Sequence, residues 1–206
     1  MAAHNQNVLL SNDGPGTRAA VHVALAAAAG LPDPGYVEMF EVQLAAAAVI
    51  EERYEQAEAT FQGVLARPAR TSVARLAALA YGALCALGRR DGKVALARTK
   101  AYLEDRVRAD DVTNGVLALM EIAATLVLLG RDDEAAQLFG GIERTTRELL
   151  GWPDPYAGHP LVTSPLETLP ERLGAEEFTR EKERGSRLTY EELVSLARSM
   201  AADQRA

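Results

Sequence analysis

Cysteine is almost missing from this chain. Cys85 is the single one, so no internal disulfide can staple the fold, and a lone free thiol suits a reducing, cytoplasmic location. Aromatic residues are also scarce, at 5%, which excludes a core built on large rings and points to many thin contacts between closely approaching, alanine-rich helices. No apolar run approaches the roughly 20 residues that a membrane span needs. The opening "MAAHNQNVLLSND" has no basic stretch ahead of a long apolar one, so neither membrane insertion nor secretion is expected. Positive charge is in deficit, with Lys+Arg 22 against Asp+Glu 29 and a net charge of −7, which argues against nucleic acid as the partner of the whole surface.

Chemistry-bearing clusters are thin too. The three histidines, His4, His22 and His159, show no His-x-x-x-His pair and no acidic partner at ligand spacing, so no metal or other cofactor is expected. Cys85 has no histidine near it in sequence and reads as a packing thiol rather than a nucleophile. The carboxylate pairs Glu51-Glu52, Asp132-Asp133 and Glu176-Glu177 fall at helix ends or first turns, where they complement the helix dipole or solvate the surface. The segment "LLSNDGPGTR" offers a glycine turn but not the lysine of a phosphate-binding loop, so Gly14 and Gly16 read as helix-entry punctuation. The expectation is a protein that is not an enzyme.

What the chain does have is helical periodicity, cut by punctuation. Gly14-Pro15-Gly16-Thr17 opens a helix to about Ala29, and "GLPDPG" closes it. Further helices are predicted at about Tyr36–Glu52, Tyr54–Ala66, Ser72–Leu87, Asp91–Val107, Val112–Leu129 and Asp132–Leu149. The connections are a few residues long, which makes neighbours antiparallel hairpins. The one strand candidate is the short "NVLL" at 7–10. The fold class expected is all-α.

The segments "RYEQAEATF" and "RDDEAAQLF", from Arg53 and Arg131, each place alanine and phenylalanine four apart: Ala57 with Phe61, Ala135 with Phe139. Such positions share a helix face, the small residue admitting a neighbouring helix and the ring filling the groove beside it. A middle copy, "RRDGKVALA", puts Val94 and Arg98 at those places if it is aligned on Arg90. The pattern resembles tetratricopeptide repeats, with the fullest copy from Gly115 to Ile142: Ile122, Ala123 and Leu126 on the first helix, Gly130 at the turn, Ala135 and Phe139 on the second. The first copy has Glu52 where the turn glycine is expected. The resemblance implies antiparallel helical hairpins stacked as a right-handed superhelix over 1–150.

A Pro-rich strap is expected at 151–170, without regular helix until about Leu166, and C-terminal capping helices at 171–206. Thr189 and Glu192 form a capping box, Leu188 and Leu193 a hydrophobic staple, and Gly185 stands where the preceding helix is expected to end. Leu173, Gly174, Phe178, Gly185, Leu188, Thr189, Glu191 and Glu192 resemble the close of the repeat region in large actinobacterial ATP-binding regulators of the LuxR type. That likeness implies a ligand-sensing or partner-sensing module in transcriptional or signalling regulation. No G-x-x-x-x-G-K-[ST] occurs, so the family's ATP chemistry does not carry over.

In the tetratricopeptide register the concave lining includes Met39, Val42, Ala46, Val49, Arg75, Gly82, Cys85, Met120 and Leu128, an apolar surface that calls for a cover. A protein or peptide segment, a small apolar effector, the chain's own strap around Trp152 to Leu169, or a second copy forming a homodimer would each serve. Between Arg67 and Arg108 ten basic residues stand against three acids, among them Arg89, Arg90, Lys93, Arg98 and Lys100, so an acidic partner docking on a basic patch is the competing expectation. The reading overall is a non-enzymatic interaction or regulatory module. Its alternatives are a scaffold or homodimerisation domain without effector and a helical enzyme of unrecognised type.

Overall fold

The structure is a computed structural model that describes residues 13–28, 34–67, 72–151 and 159–202. The described residues are helical throughout, without a strand: α1 Gly14–Ala28, α2 Pro34–Ile50, α3 Tyr54–Ala66, α4 Ser72–Gly88, α5 Gly92–Arg108, α6 Val112–Leu128, α7 Asp132–Thr145 with a π turn Thr146–Leu150, α8 Pro160–Glu167, α9 Leu169–Leu173, α10 Ala175–Ser186 and α11 Tyr190–Ala202. The strand candidate at 7–10, together with His4, Arg70 and Trp152, lies outside the described residues.

Local chemistry explains the boundaries. Asp13 Oδ1 accepts from Gly16 N at 2.9 Å, so Gly14 and Gly16 sit inside α1 rather than ahead of it. Asp91 and Asp111 cap α5 and α6 by accepting from Val94 N and Asn114 N, each at 3.1 Å. The capping box ahead of α11 is present in both directions, Thr189 N to Glu192 Oε2 at 2.8 Å and Glu192 N to Thr189 Oγ1 at 3.3 Å.

The turn between consecutive helices recurs with one geometry. Glu52, Arg90, Asp110 and Gly130 all have left-handed φ, at 58°, 60°, 54° and 74°. At three of these turns a six-residue ring closes behind the helix: Arg53 N to Ala48 O at 2.8 Å, Asp111 N to Arg106 O at 3.0 Å and Arg131 N to Leu126 O at 2.9 Å. Glycine is thus not needed for the turn to form, although a Cβ there is strained by about 1 kcal/mol. Glu52→Gly is expected to raise stability by roughly 0.5–1 kcal/mol and Gly130→Ala to lower it by a similar amount, read as opposite shifts of the urea midpoint at unchanged m-value.

The chain divides between Arg89 and Arg90 into two compact units. In the first unit α1 packs on α2, α2 on α3, α3 on α4, and α2 also lies against α4. In the second, α5 packs on α6 and α6 on α7, while α8 lies on α6 and both α10 and α11 lie on α7. The segment drawn from sequence as an irregular strap is helical from Pro160, since a proline at the first helical position has no N–H to lose and His159 caps the helix. Leu166 and Leu169 are wholly buried, so this segment belongs to the core of the second unit.

Gly185 lies in the last turn of α10, which ends at Ser186 as expected, and it has a second role. A Cβ there would stand 1.7 Å from Gln137 O of α7, and Gly140 of α7 has Lys182 O of α10 at 2.0 Å from its own absent Cβ. These glycines let two backbones touch. Around the crossing Lys182 Nζ pairs with Glu143 at 2.8 Å and lies 5.5 and 5.6 Å from the ring centres of Phe139 and Phe178. Arginines satisfy carbonyls at several helix ends: Arg144 Nη1 donates to Ser186 O and Leu188 O, Arg131 Nη1 to Met200 O, and Arg75 Nη1 to Leu65 O.

Candidate functional site

Counting from the left-handed turn residues rather than from the arginines moves the middle repeat copy by one. The helix that follows each turn starts from Arg53, Asp91 or Arg131. The positions four and eight residues on are then Ala57 and Phe61, Ala95 and Thr99, Ala135 and Phe139, all of them completely buried. The pair Val94 and Arg98 is therefore replaced by Ala95 and Thr99. The alanine that admits the neighbouring helix is kept in every copy, while the aromatic filler becomes a threonine in α5.

Across from Thr99 stands the carboxyl of Glu121. Thr99 Oγ1 lies 3.2 Å from Glu121 Oε2 and 3.0 Å from Ala95 O, and Glu121 is only 5% exposed in the middle of α6. A threonine hydroxyl has one proton to give. When Ala95 O takes it, the short contact to Glu121 is a hydrogen bond only if the carboxyl is protonated and donates to Thr99. Burial pushes the Glu121 pKa up to about 8, and the Thr99 hydroxyl, which can instead turn its one proton to the carboxylate, pulls the other way, so the group is a neutral acid at pH 7. Glu121 falls nine residues ahead of the turn at Gly130. The same count from Arg90 and Glu52 gives Tyr81 and Gln43, which are 4% and 6% exposed. One register position on three helices thus carries a buried polar side chain, and in α6 that side chain is ionisable.

The residues predicted to line a concave face that calls for a cover are mostly buried. In the first unit Val42, Ala46, Val49, Gly82 and Cys85 are buried and Met39 is half-buried, while Arg75 is exposed and bonded to Leu65 O. In the second unit Met120 is buried and Leu128 half-buried. The thin alanine-rich helices approach closely enough to consume that surface, so these positions are core. A pocket of about 430 Å³ lies elsewhere, lined by Leu173, Gly174, Ala175, Glu176, Glu177 and Arg180.

The five basic residues of the patch stand in different settings. Arg89 pairs with Glu55 at 3.1 Å and Glu58 at 3.9 Å, Arg98 is buried, and the Glu104 carboxyl is held below its usual range by the hydrogen bond from Arg198, with Lys100 as the least of its causes. Arg90 and Lys93 are exposed. Nearby, Arg67 pairs with Glu41 at 2.9 Å and Arg106 with Asp111 at 3.0 Å, so part of the local positive charge meets an internal acid.

Cys85 Sγ donates to Tyr54 O at 3.3 Å, a packing contact. His159 Nδ1 accepts from Leu161 N at 3.2 Å, which leaves the proton on Nε2, buried and without a partner, and burial lowers the His159 pKa. Cys85 and His159 belong to different compact units. Among the described residues no group of three His, Cys, Asp or Glu side chains is placed to hold a metal ion, and no helix is long and apolar enough to cross a membrane.

Nothing in the residue patterns of the sequence singled out Glu121 or Thr99. The available signal was one acid in the apolar run "GVLALMEIAATLVLLG", which a helix buried on all sides cannot place in water. No family model, no curated protein and no solved structure matches the chain.

Proposed function

We propose that the chain is a helical-repeat interaction module for transcriptional or signalling regulation, with the hairpins of each unit stacked in the tetratricopeptide manner and a protein or peptide segment as partner. The observation that carries this reading is the recurrence of one turn geometry, with a buried alanine five residues after each of the left-handed residues Glu52, Arg90 and Gly130. Repetition of a hairpin at fixed register builds an extended surface whose ordinary use is binding another chain. The burial of the expected lining favours a protein segment over a small effector, because a ligand of that kind needs a preformed concave cavity at those residues. The first unit also leaves Val37 and Val73 half exposed in the first turns of α2 and α4, which pack side by side.

The test is affinity capture from an extract of the native host with the full chain and with a Val37→Glu, Val73→Glu double variant of matching helicity. A stoichiometric partner retained by the native chain and lost by the variant supports the module. A chain that sediments as a monomer over a wide concentration range and retains no partner overturns it. Self-association alone would replace this reading with homodimerisation.

A further inference from the structure

We propose that the Glu121–Thr99 pair is a one-proton latch between α5 and α6. While Glu121 holds its proton the two helices stay closed on each other, and loss of that proton opens this face of the second unit. The inference stands independently of the partner-binding role.

Three structural facts carry it. The hydrogen-bond chain from the Glu121 carboxyl through Thr99 Oγ1 to Ala95 O uses one proton per link, so it is complete only with the acid protonated. Thr99 occupies the place where the equivalent positions hold Phe61 and Phe139, so α5 presents a hydroxyl to Glu121 of α6 where α3 and α7 carry a ring. And the carboxyl has no compensating cation. On the helices packed against α6, the buried or half-buried ionisable groups are Arg98, Lys100, Tyr102, Glu104, Asp105 and Arg106 of α5, Asp132, Glu134, Glu143 and Arg144 of α7, His159 ahead of α8, and Tyr190 and Arg198 of α11; Asp105 pairs with Arg108 and Asp132 with Arg172. Glu134 is held by Arg131, Glu143 by Lys182, Arg144 by Glu148, Arg198 by Glu104 and Arg106 by Asp111. What acts on Glu121 is its burial and Thr99. An ionised carboxylate there is desolvated and is served by Thr99 only if the hydroxyl gives up its bond to Ala95 O, and the route to relief is exposure to water by separation of α5 from α6.

Linkage gives the direction. The folded-state pKa lies above the value in water, so the closed form binds the proton that the open form releases. Opening therefore becomes more frequent as pH rises between about 4.5 and about 8 and levels off above that. Acid locks the latch and mild alkali frees it.

The experiment is hydrogen exchange on the full chain from pH 5.5 to pH 8.5, corrected for the intrinsic pH dependence of amide exchange, with Glu121→Gln in parallel. In the native chain the opening constant of α5 and α6 amides is expected to rise about tenfold per pH unit up to about pH 8. The amides of α7 and α10 should not follow, and the Glu121→Gln protein should be flat. An infrared carboxylic-acid C=O band at neutral pH, absent from Glu121→Gln, reports the proton directly and does not depend on opening. The same pH profile in both proteins, a parallel loss of protection across all four helices, or no such band at neutral pH would each overturn the latch.

Discussion

Gly185→Ala is expected to destabilise the second unit by roughly 3 kcal/mol and to release α10 from α7. The added methyl would meet Gln137 O at 1.7 Å and Gln137 C at 2.7 Å. Both are backbone atoms, which no rotamer change can move aside. The helices must separate, and their separation loosens the Lys182–Glu143 pair and the bonds from Arg144 to Ser186 O and Leu188 O. Gly140→Ala, which meets Lys182 O at 2.0 Å from the other side, should behave alike. Because the two changes strain one crossing, the double variant should cost less than their sum. Urea unfolding of the three variants checks this. A loss below about 0.5 kcal/mol for Gly185→Ala would mean that the helices do not touch there.

Glu121→Gln is expected to do the reverse and stabilise the protein at neutral pH. With a folded pKa of about 8 against 4.5 in water, the buried acid withholds a proton that the unfolded chain releases. Stability from this group is complete below about pH 4.5, falls as pH rises to about 8, and does not fall further above that. At pH 7 the accumulated cost is about 3 kcal/mol at most, and glutamine avoids it while keeping the shape. Its amide leaves one buried N–H poorly paired, so the expected net gain is on the order of 1–2 kcal/mol. The gain should vanish near pH 4.5. Thermal unfolding of both proteins between pH 4.5 and pH 8 measures it, and a Glu121→Gln protein less stable than the native chain throughout would show that Glu121 is ionised and compensated.

Helix positions were legible because their causes are local. Asp91 and Asp111 announce α5 and α6, and α3 runs over Tyr54–Ala66 as its periodicity predicts. Thr189 and Glu192 form the capping box that their spacing implies. Legibility failed wherever a residue's meaning depended on a distant element. Gly185 looks like a helix terminator in its own segment and becomes a contact point only because Gln137 O arrives from α7. Pro160 reads as a breaker in a proline-rich stretch, yet its place one residue after the His159 cap makes it a helix starter. Thr99 was hidden by an alignment on Arg90, one residue before the cap that sets the register.

What covers the expected lining was hidden for a related reason. Val42, Ala46 and Val49 share a face of α2 and are buried, but periodicity reports only that a face is apolar, not what covers it. By itself the sequence determined the helices, their caps and their hairpin turns, since these depend on side chains within a few residues of the bonds they satisfy. The tertiary structure alone decided which apolar faces are consumed, where two backbones touch at Gly140 and Gly185, and that Glu121 sits in a dry interface, because burial is set by what packs from elsewhere in the chain.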